Sequence, residues 1–207
     1  MEGMMNMRNA KITRNTSETQ ITLDISILKQ NEKGEFIGST GVGFMDHMMS
    51  AFCVHGHFKI DLEMKGDLQV DDHHSVEDLG IVLGTAFAQA VGSKASLCRF
   101  GQACIPMDES LSRCVLDISG RPYLVYNATF NYQYVGEVEG AMETTMFKEF
   151  FYAFAMNAGV TLHLENMYGD NDHHKIESMF KAFARALSNA AQLNDGAILS
   201  TKGTLDA

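Results

Sequence analysis

Two stretches of the chain carry the same metal-binding pattern, His73-His74-x-x-Glu77 and His173-His174-x-x-Glu177. Imidazole nitrogen and carboxylate oxygen suit borderline or hard divalent ions such as manganese, iron, cobalt or zinc. On a helix, residues three and four apart share a face, so each glutamate lies beneath both histidines while the two rings diverge by roughly 100°. Diverging neighbours chelate one ion poorly but can serve two ions. The doubled motif therefore predicts a catalytic dinuclear centre with ligands from both copies, in one chain or across a subunit interface. The bland alternative, two solvated helix starts, is hard to sustain for motifs at matching positions of a repeat that hold four of the eight histidines. Six donors undersupply two ions, and the apolar helical stretches upstream offer two more, His47 in GFMDHMM and Glu149 in FKEFF. Eight donors give four per ion, leaving open positions for substrate on octahedral metals. The aspartates before the pairs, Asp72 and Asp172, are read either as helix caps or as partners that orient an imidazole.

The elements that must position these residues are themselves repeated. At an offset of 100 residues, Val76, Leu79, Leu83, Ala86, Phe87 and Ala90 lie over Ile176, Met179, Phe183, Ala186, Leu187 and Ala190. Spacings of three and four predict an amphipathic helix of four to five turns after each motif. FKIDLEM (58–64) and VTLHLEN (160–166) alternate like half-buried strands, each after an apolar helical stretch, about 46–55 and 144–157. ITLDISIL and EFIGST precede the first, and RCVLDIS and YLVYNATF the second. Each half reads as ββαβα, so the expected fold is α+β: two duplicated halves, about 11–93 and 94–192, each a mainly antiparallel sheet with helices on one face. Residues 1–10 are expected to be a loose tail and the last residues a C-terminal tail.

Bulk properties narrow the function classes. With 207 residues, 45% hydrophobic and 20% charged, the chain has the composition of an ordinary globular protein able to bury a core. No apolar run is long enough to span a bilayer, and the N-terminus lacks the apolar segment of a secretory signal. The net charge of −10 leaves no overall electrostatic footprint for nucleic acid, so any anion site must be local. Cys53, Cys98, Cys104 and Cys114 show no C-x-x-C spacing, and reduced thiols in a cytoplasmic protein are expected.

The segments TGVGFMDHMM, GDLQVDDHHSVEDLGIVLG, RFG, PMDES, SGRPY, YGDNDHHKIESMFKAFARAL and STKG, in this order from Arg14 to Gly203, resemble the imidazoleglycerol-phosphate dehydratase family. The resemblance implies a ribosomal protein S5 domain 2-like fold and a cytoplasmic hydro-lyase of histidine biosynthesis. Such an enzyme dehydrates D-erythro-imidazole glycerol phosphate to imidazole acetol phosphate with two Mn²⁺ per active site, in a 24-subunit homo-oligomer with sites at subunit interfaces. Carried over by position, the metal ligands are His47, His73, His74, Glu77, Glu149, His173, His174 and Glu177. Glu149 stands where relatives commonly have histidine, and Ala51 where many have a glutamine near the substrate. The resemblance also places Arg99, Arg121, Lys181, Ser200 and Lys202 at the substrate phosphate and Glu18 beside the reacting carbon. The expected chemistry is a metal-stabilised imidazolate that expels hydroxide to a diazafulvene-like intermediate, with Glu18 moving the carbon-bound proton and Glu177 assisting departure of water. A dinuclear phosphate hydrolase and a metal-storage module are the rival readings.

Overall fold

The computed structural model describes residues 8–137, 140–194, 198–201, 203 and 205. Alternation of apolar and polar residues produces strands with one buried face. In β2 (Gln20–Ile27), Ile21, Leu23 and Ile25 are buried, and in β4 (Phe58–Lys65) so are Phe58, Ile60 and Leu62. These two strands pair antiparallel at the centre of a sheet ordered β1-β2-β4-β3, with β1 (Asn9–Asn15) and β3 (Glu35–Gly38) at its edges. α1 (Gly43–Gly56) and α2 (His73–Val91) belong to this half. The second half repeats it as β5-β6-β10-β7, with β5 (Phe100–Met107), β6 (Ser110–Asp117), β7 (Tyr123–Asn127) and β10 (Thr161–Tyr168). Its helices are α3 (Met146–Ala158) and α4 (Asp172–Ala191), and a small hairpin, β8 (Tyr134–Val135) with β9 (Met142–Glu143), precedes α3.

The duplicated α+β architecture is thus as expected, with three of the four strands antiparallel to their neighbours in each sheet and β3 and β7 added in parallel. Each main sheet carries one strand more than ββαβα supplies, and the second half adds the β8–β9 hairpin. β1 and β5 are edge strands, so only one side of each is paired, and their sequences are correspondingly mixed. β5 contains Gly101 and Pro106, and a proline is tolerated where its missing N–H faces no partner strand. β1 starts at Asn9, inside the span expected to be a loose tail, and residues 1–7 of that tail lie outside the described residues.

The halves meet through their helices, α2 against α3 and α1 against α4, with one hydrophobic core running through both. Gly80 and Gly84 let α2 approach α3 closely: a Cβ at either position would sit 2.6 Å from a backbone oxygen of Phe150 or Phe154. The equivalent positions of α4 carry Phe180 and Ala184, and at the α1–α4 crossing rings meet instead, Phe52 stacking on Phe183 at 5.4 Å. This pairing brings each half's first helix to the other half's second helix, which sets the composition of the site. Among the described residues, no helix is long and apolar enough to cross a membrane.

Candidate metal centre

The start of α1 is fixed by Asp46, whose carboxylate accepts hydrogen bonds from the Thr40 amide, the Thr40 hydroxyl and the Ser39 hydroxyl. His47 follows it and faces α4. There its Nε2 lies 3.4 Å from Oε2 of Glu177, and Nε2 of His173 lies 3.2 Å from the same oxygen. One donor atom from each of His47, His173 and Glu177 falls within 4.8 Å of the other two. Two imidazoles and a carboxylate gathered this closely match the donor set of a divalent ion, and both rings are half-exposed, leaving room for further ligands. Phe44 walls the cluster with its ring edge-on to His173 at 5.0 Å. An open cavity of about 700 Å³, lined by Gly43, Phe44, His47, Gly136, Glu137, Gly140 and His173, leads to it.

Glu177 is mostly buried. Burial alone would raise its pKa, but the Lys181 ammonium at 2.7 Å, together with His47, outweighs that and holds the carboxyl below its ordinary range. The group is therefore a carboxylate at neutral pH.

The first half offers the counterpart at the α2–α3 crossing. His73 Nε2 lies 3.7 Å from Oε2 of Glu77, one turn along α2, and both side chains are over two-fifths exposed. Glu149 stands in the first turn of α3, the position corresponding to His47 in α1, and is half-buried. The three-donor cluster resolved among the described residues is His47, His173 and Glu177, and it does not include Glu149.

His74 and His174 turn away from these inward groups, their ring centroids 6.2 Å from those of His73 and His173 and the ring planes steeply inclined. Each outward ring has a carboxylate at Nδ1: Asp67 at 3.0 Å for His74 and Glu109 at 2.7 Å for His174. The bond to Asp67 raises the pKa of His74. Glu109 is held down to about 2, first by the Asn171 amide and then by His174, so it too is ionised at neutral pH. At the other nitrogen, Nε2, hairpin-tip carboxylates stand off at similar distances, Glu18 at 3.8 Å from His74 and Asp108 at 3.7 Å from His174.

The capping expectation for Asp72 and Asp172 needs correction. The caps come one residue earlier: Asp71 accepts from the His73 amide, and Asn171 from the amides of His173 and His174. Asp72 instead accepts from the Glu143 amide, and Asp172, fully buried, from the amides of Asn131 and Tyr132 and from Lys175. They tie the helix starts to the segment around β8 and β9, and the imidazoles are oriented by Asp67 and Glu109, which spacing alone did not single out. Asp67 stands in a loop six residues before His73, and Glu109 in the β5–β6 turn far from its histidine in sequence.

Glu18 sits on the β1–β2 turn, where the Thr16 hydroxyl accepts from its amide and from that of Thr19. Thr19 bonds the buried Asp78 of α2, which also pairs with Arg14 at 2.8 Å. The turn carrying Glu18 is thereby fastened to the helix carrying His74. Arg99 adopts a left-handed backbone (φ 71°), grips Asp117 with two nitrogens at 2.7 and 3.0 Å, and donates to the Leu199 carbonyl. Arg121, well exposed, lies 3.7 Å from the same Asp117. The expected phosphate residues thus fall in two places within one chain, Arg99 and Arg121 beside the tail at Leu199-Ser200, and Lys181 between Glu177 and the Met107 sulfur. Lys202 lies outside the described residues.

The family model described as imidazoleglycerol-phosphate dehydratase matches residues 40–187. Similar relatives include the imidazoleglycerol-phosphate dehydratase of Clostridioides difficile, 50% identical over 96% of this chain and 100% of that protein. That of Acetivibrio thermocellus is also 50% identical, over 96% of this chain and 99% of its own. Among solved structures, the Staphylococcus aureus imidazoleglycerol-phosphate dehydratase superposes with a TM-score of 0.77 at 39% identity, covering 90% of this chain and 98% of that one. The Pyrococcus furiosus enzyme in complex with (S)-C348 does so with a TM-score of 0.75 at 31% identity, over 93% and 99%.

Proposed function

The chain belongs to the imidazoleglycerol-phosphate dehydratase family, and from that membership we propose that it is the hydro-lyase converting D-erythro-imidazole glycerol phosphate to imidazole acetol phosphate and water in histidine biosynthesis. The observation that carries the reading to a mechanism is the gathering of His47, His173 and Glu177 from two halves of the repeat, beside an open cavity.

The reaction removes a carbon-bound proton with no adjacent carbonyl to acidify it, so enolate chemistry is not open to it. Two Mn²⁺ per active site, when bound, would supply Lewis acidity that favours the imidazolate form of the substrate ring. His47, His173 and Glu177 would hold one ion, and His73, Glu77 and Glu149 the other, with Glu149 supplying an oxygen donor where relatives commonly have histidine. The rings of His74 and His174 pair with Asp67 and Glu109 rather than with the glutamates of their own motifs. Their direction supports sites completed by other copies of the chain, in a homo-oligomer of 24 subunits with active sites at the interfaces. The remaining work falls to protein side chains. Glu18 moves the proton at the carbon, on a turn immobilised through Thr19 and Asp78. Glu177, kept anionic by Lys181, accepts from and orients a bound water, which gives the proton with which the hydroxyl leaves as water. Arg99, Arg121, Lys181, Ser200 and Lys202 hold the phosphate, with Asp117 setting the direction of both guanidiniums.

The fold then comprises a single dehydratase domain of two repeated halves followed by a substrate-binding tail. All four cysteines are free thiols, which supports a reducing, cytoplasmic setting. Incubation with imidazole glycerol phosphate and Mn²⁺ tests the reading. Absorbance of the product's enol should rise with no release of inorganic phosphate. Phosphate release without that absorbance would instead mark a dinuclear hydrolase.

A further inference from the structure

We propose that Asp67 and Glu109 are positioning residues, each accepting the Nδ1 hydrogen of an outward histidine so that Nε2 of His74 and of His174 is left as the donor to an ion. The inference rests on the metal-binding reading of those two histidines. Its first support is convergence. The two halves are related by duplication, yet the carboxylates reach equivalent nitrogens from non-equivalent places, Asp67 from the loop between β4 and α2 and Glu109 from the turn between β5 and β6. A contact merely inherited with the repeat would come from matching positions.

The second support is cost. Among the described residues no group bonds the buried Oδ1 of Asp67, while Oδ2 is given to His74. Leaving a buried carboxylate oxygen unpaired destabilises the fold. Retention of the group is therefore explained by what Oδ2 does. A carboxylate accepts and cannot donate when ionised, so the imidazole nitrogen facing it must carry the hydrogen. That fixes the tautomer and raises the basicity of the remote nitrogen, the usual role of an outer partner to a ligating histidine. On the Nε2 side, Glu18 and Asp108 stand 3.8 and 3.7 Å away, beyond hydrogen-bond distance, so neither claims that nitrogen as Asp67 and Glu109 claim Nδ1.

Glu109→Gln gives a clean test because the two oxygens of Glu109 have separate tasks. Oε1 accepts from the amides of Asp170 and Asn171, and Oε2 faces His174. Those two amide donors hold the glutamine oxygen on their side, which turns its NH₂ toward Nδ1 and forces the hydrogen of His174 onto Nε2. Backbone support is kept while the tautomer is reversed. Mn²⁺ titration of the metal-free assembled protein, by calorimetry or chelator competition, should show one class of site weakened about 10–100-fold, the range for lost outer partners of metal ligands. The metal-free melting midpoint should stay above that of Glu109→Ala, which loses both amide bonds as well as the charge, and Asp67→Ala, which removes the acceptor at His74, should weaken Mn²⁺ binding likewise. His174→Ala is measured in parallel. If Glu109→Gln binds Mn²⁺ as wild type does while His174→Ala loses it, the positioning role is wrong and the metal reading stands. Unchanged Mn²⁺ binding in His174→Ala overturns both. A metal-free midpoint in Glu109→Gln as low as that of Glu109→Ala makes its role structural and overturns the proposal.

Discussion

Replacing Gly84 by alanine should loosen the helix crossing on which the first half of the site depends. In a solvated helix this exchange stabilises by about 0.5–1 kcal/mol, because alanine restricts the unfolded backbone. Here the new methyl carbon would lie 2.6 Å from the Phe154 oxygen, 3.1 Å from the Ala158 amide nitrogen and 3.1 Å from Cβ of Asn157. Two of those neighbours are backbone atoms of α3, so relief requires one helix to move rather than a side chain to rotate. Overpacking of this kind costs about 1–3 kcal/mol, which exceeds the propensity gain and leaves a net loss of about 1–2 kcal/mol. For a chain of this size the melting midpoint should fall by about 2–8 °C. Gly43, the first residue of α1, is the internal control: a methyl carbon added there would meet nothing within 4 Å, so Gly43→Ala should stabilise. Both variants are compared metal-free at one protomer concentration, since assembly and metal each add apparent stability. A Gly84→Ala variant as stable as wild type would refute the claim that α2 and α3 are in backbone contact there.

Two further outcomes follow from the same structure. Glu18→Gln should lower turnover by about 10²–10⁴-fold, the usual worth of a positioned general base, with bound Mn²⁺ unchanged; wild-type kcat would remove Glu18 from proton transfer. Burial pushes the Cys53 and Cys114 thiols well above the ordinary thiol range, so the reactive thiolate forms only at more alkaline pH and both should resist a disulfide reagent at pH 8 in the native protein. Exposed Cys104 is free to react, all four should titrate in denaturant, and native labelling of Cys53 or Cys114 would contradict the packing of β4 and β6 over the helices.

The helices were the most legible part of the fold in the sequence, because α2 and α4 each bury a full stripe at spacings of three and four and carry the same motif at the same turn. The edge strands β1 and β5 were hidden for the opposite reason: one-sided pairing relaxes the demand for an apolar alternation, and Pro106 reads as a strand breaker. The motif suggested His47 and Glu149 as extra donors without saying which copy each would join, because the α1–α4 crossing that brings His47 to His173 and Glu177 rests on rings such as Phe52 and Phe183, neither of which announces a partner. Asp67 and Glu109 escaped notice because a loop carboxylate has no periodic relation to the ring it meets. The aspartates that did catch attention, Asp72 and Asp172, proved to brace the helix starts against the β8–β9 segment.

The central claim is that divalent ions at the doubled motif make this chain a dehydratase. The most direct measurement is Mn²⁺ added back to chelator-treated protein, following bound ions per chain, oligomer mass and enol absorbance together. The account predicts no turnover without metal, and full turnover as two Mn²⁺ per chain bind to a large assembly. Undiminished dehydration by protein shown to be metal-free would contradict it.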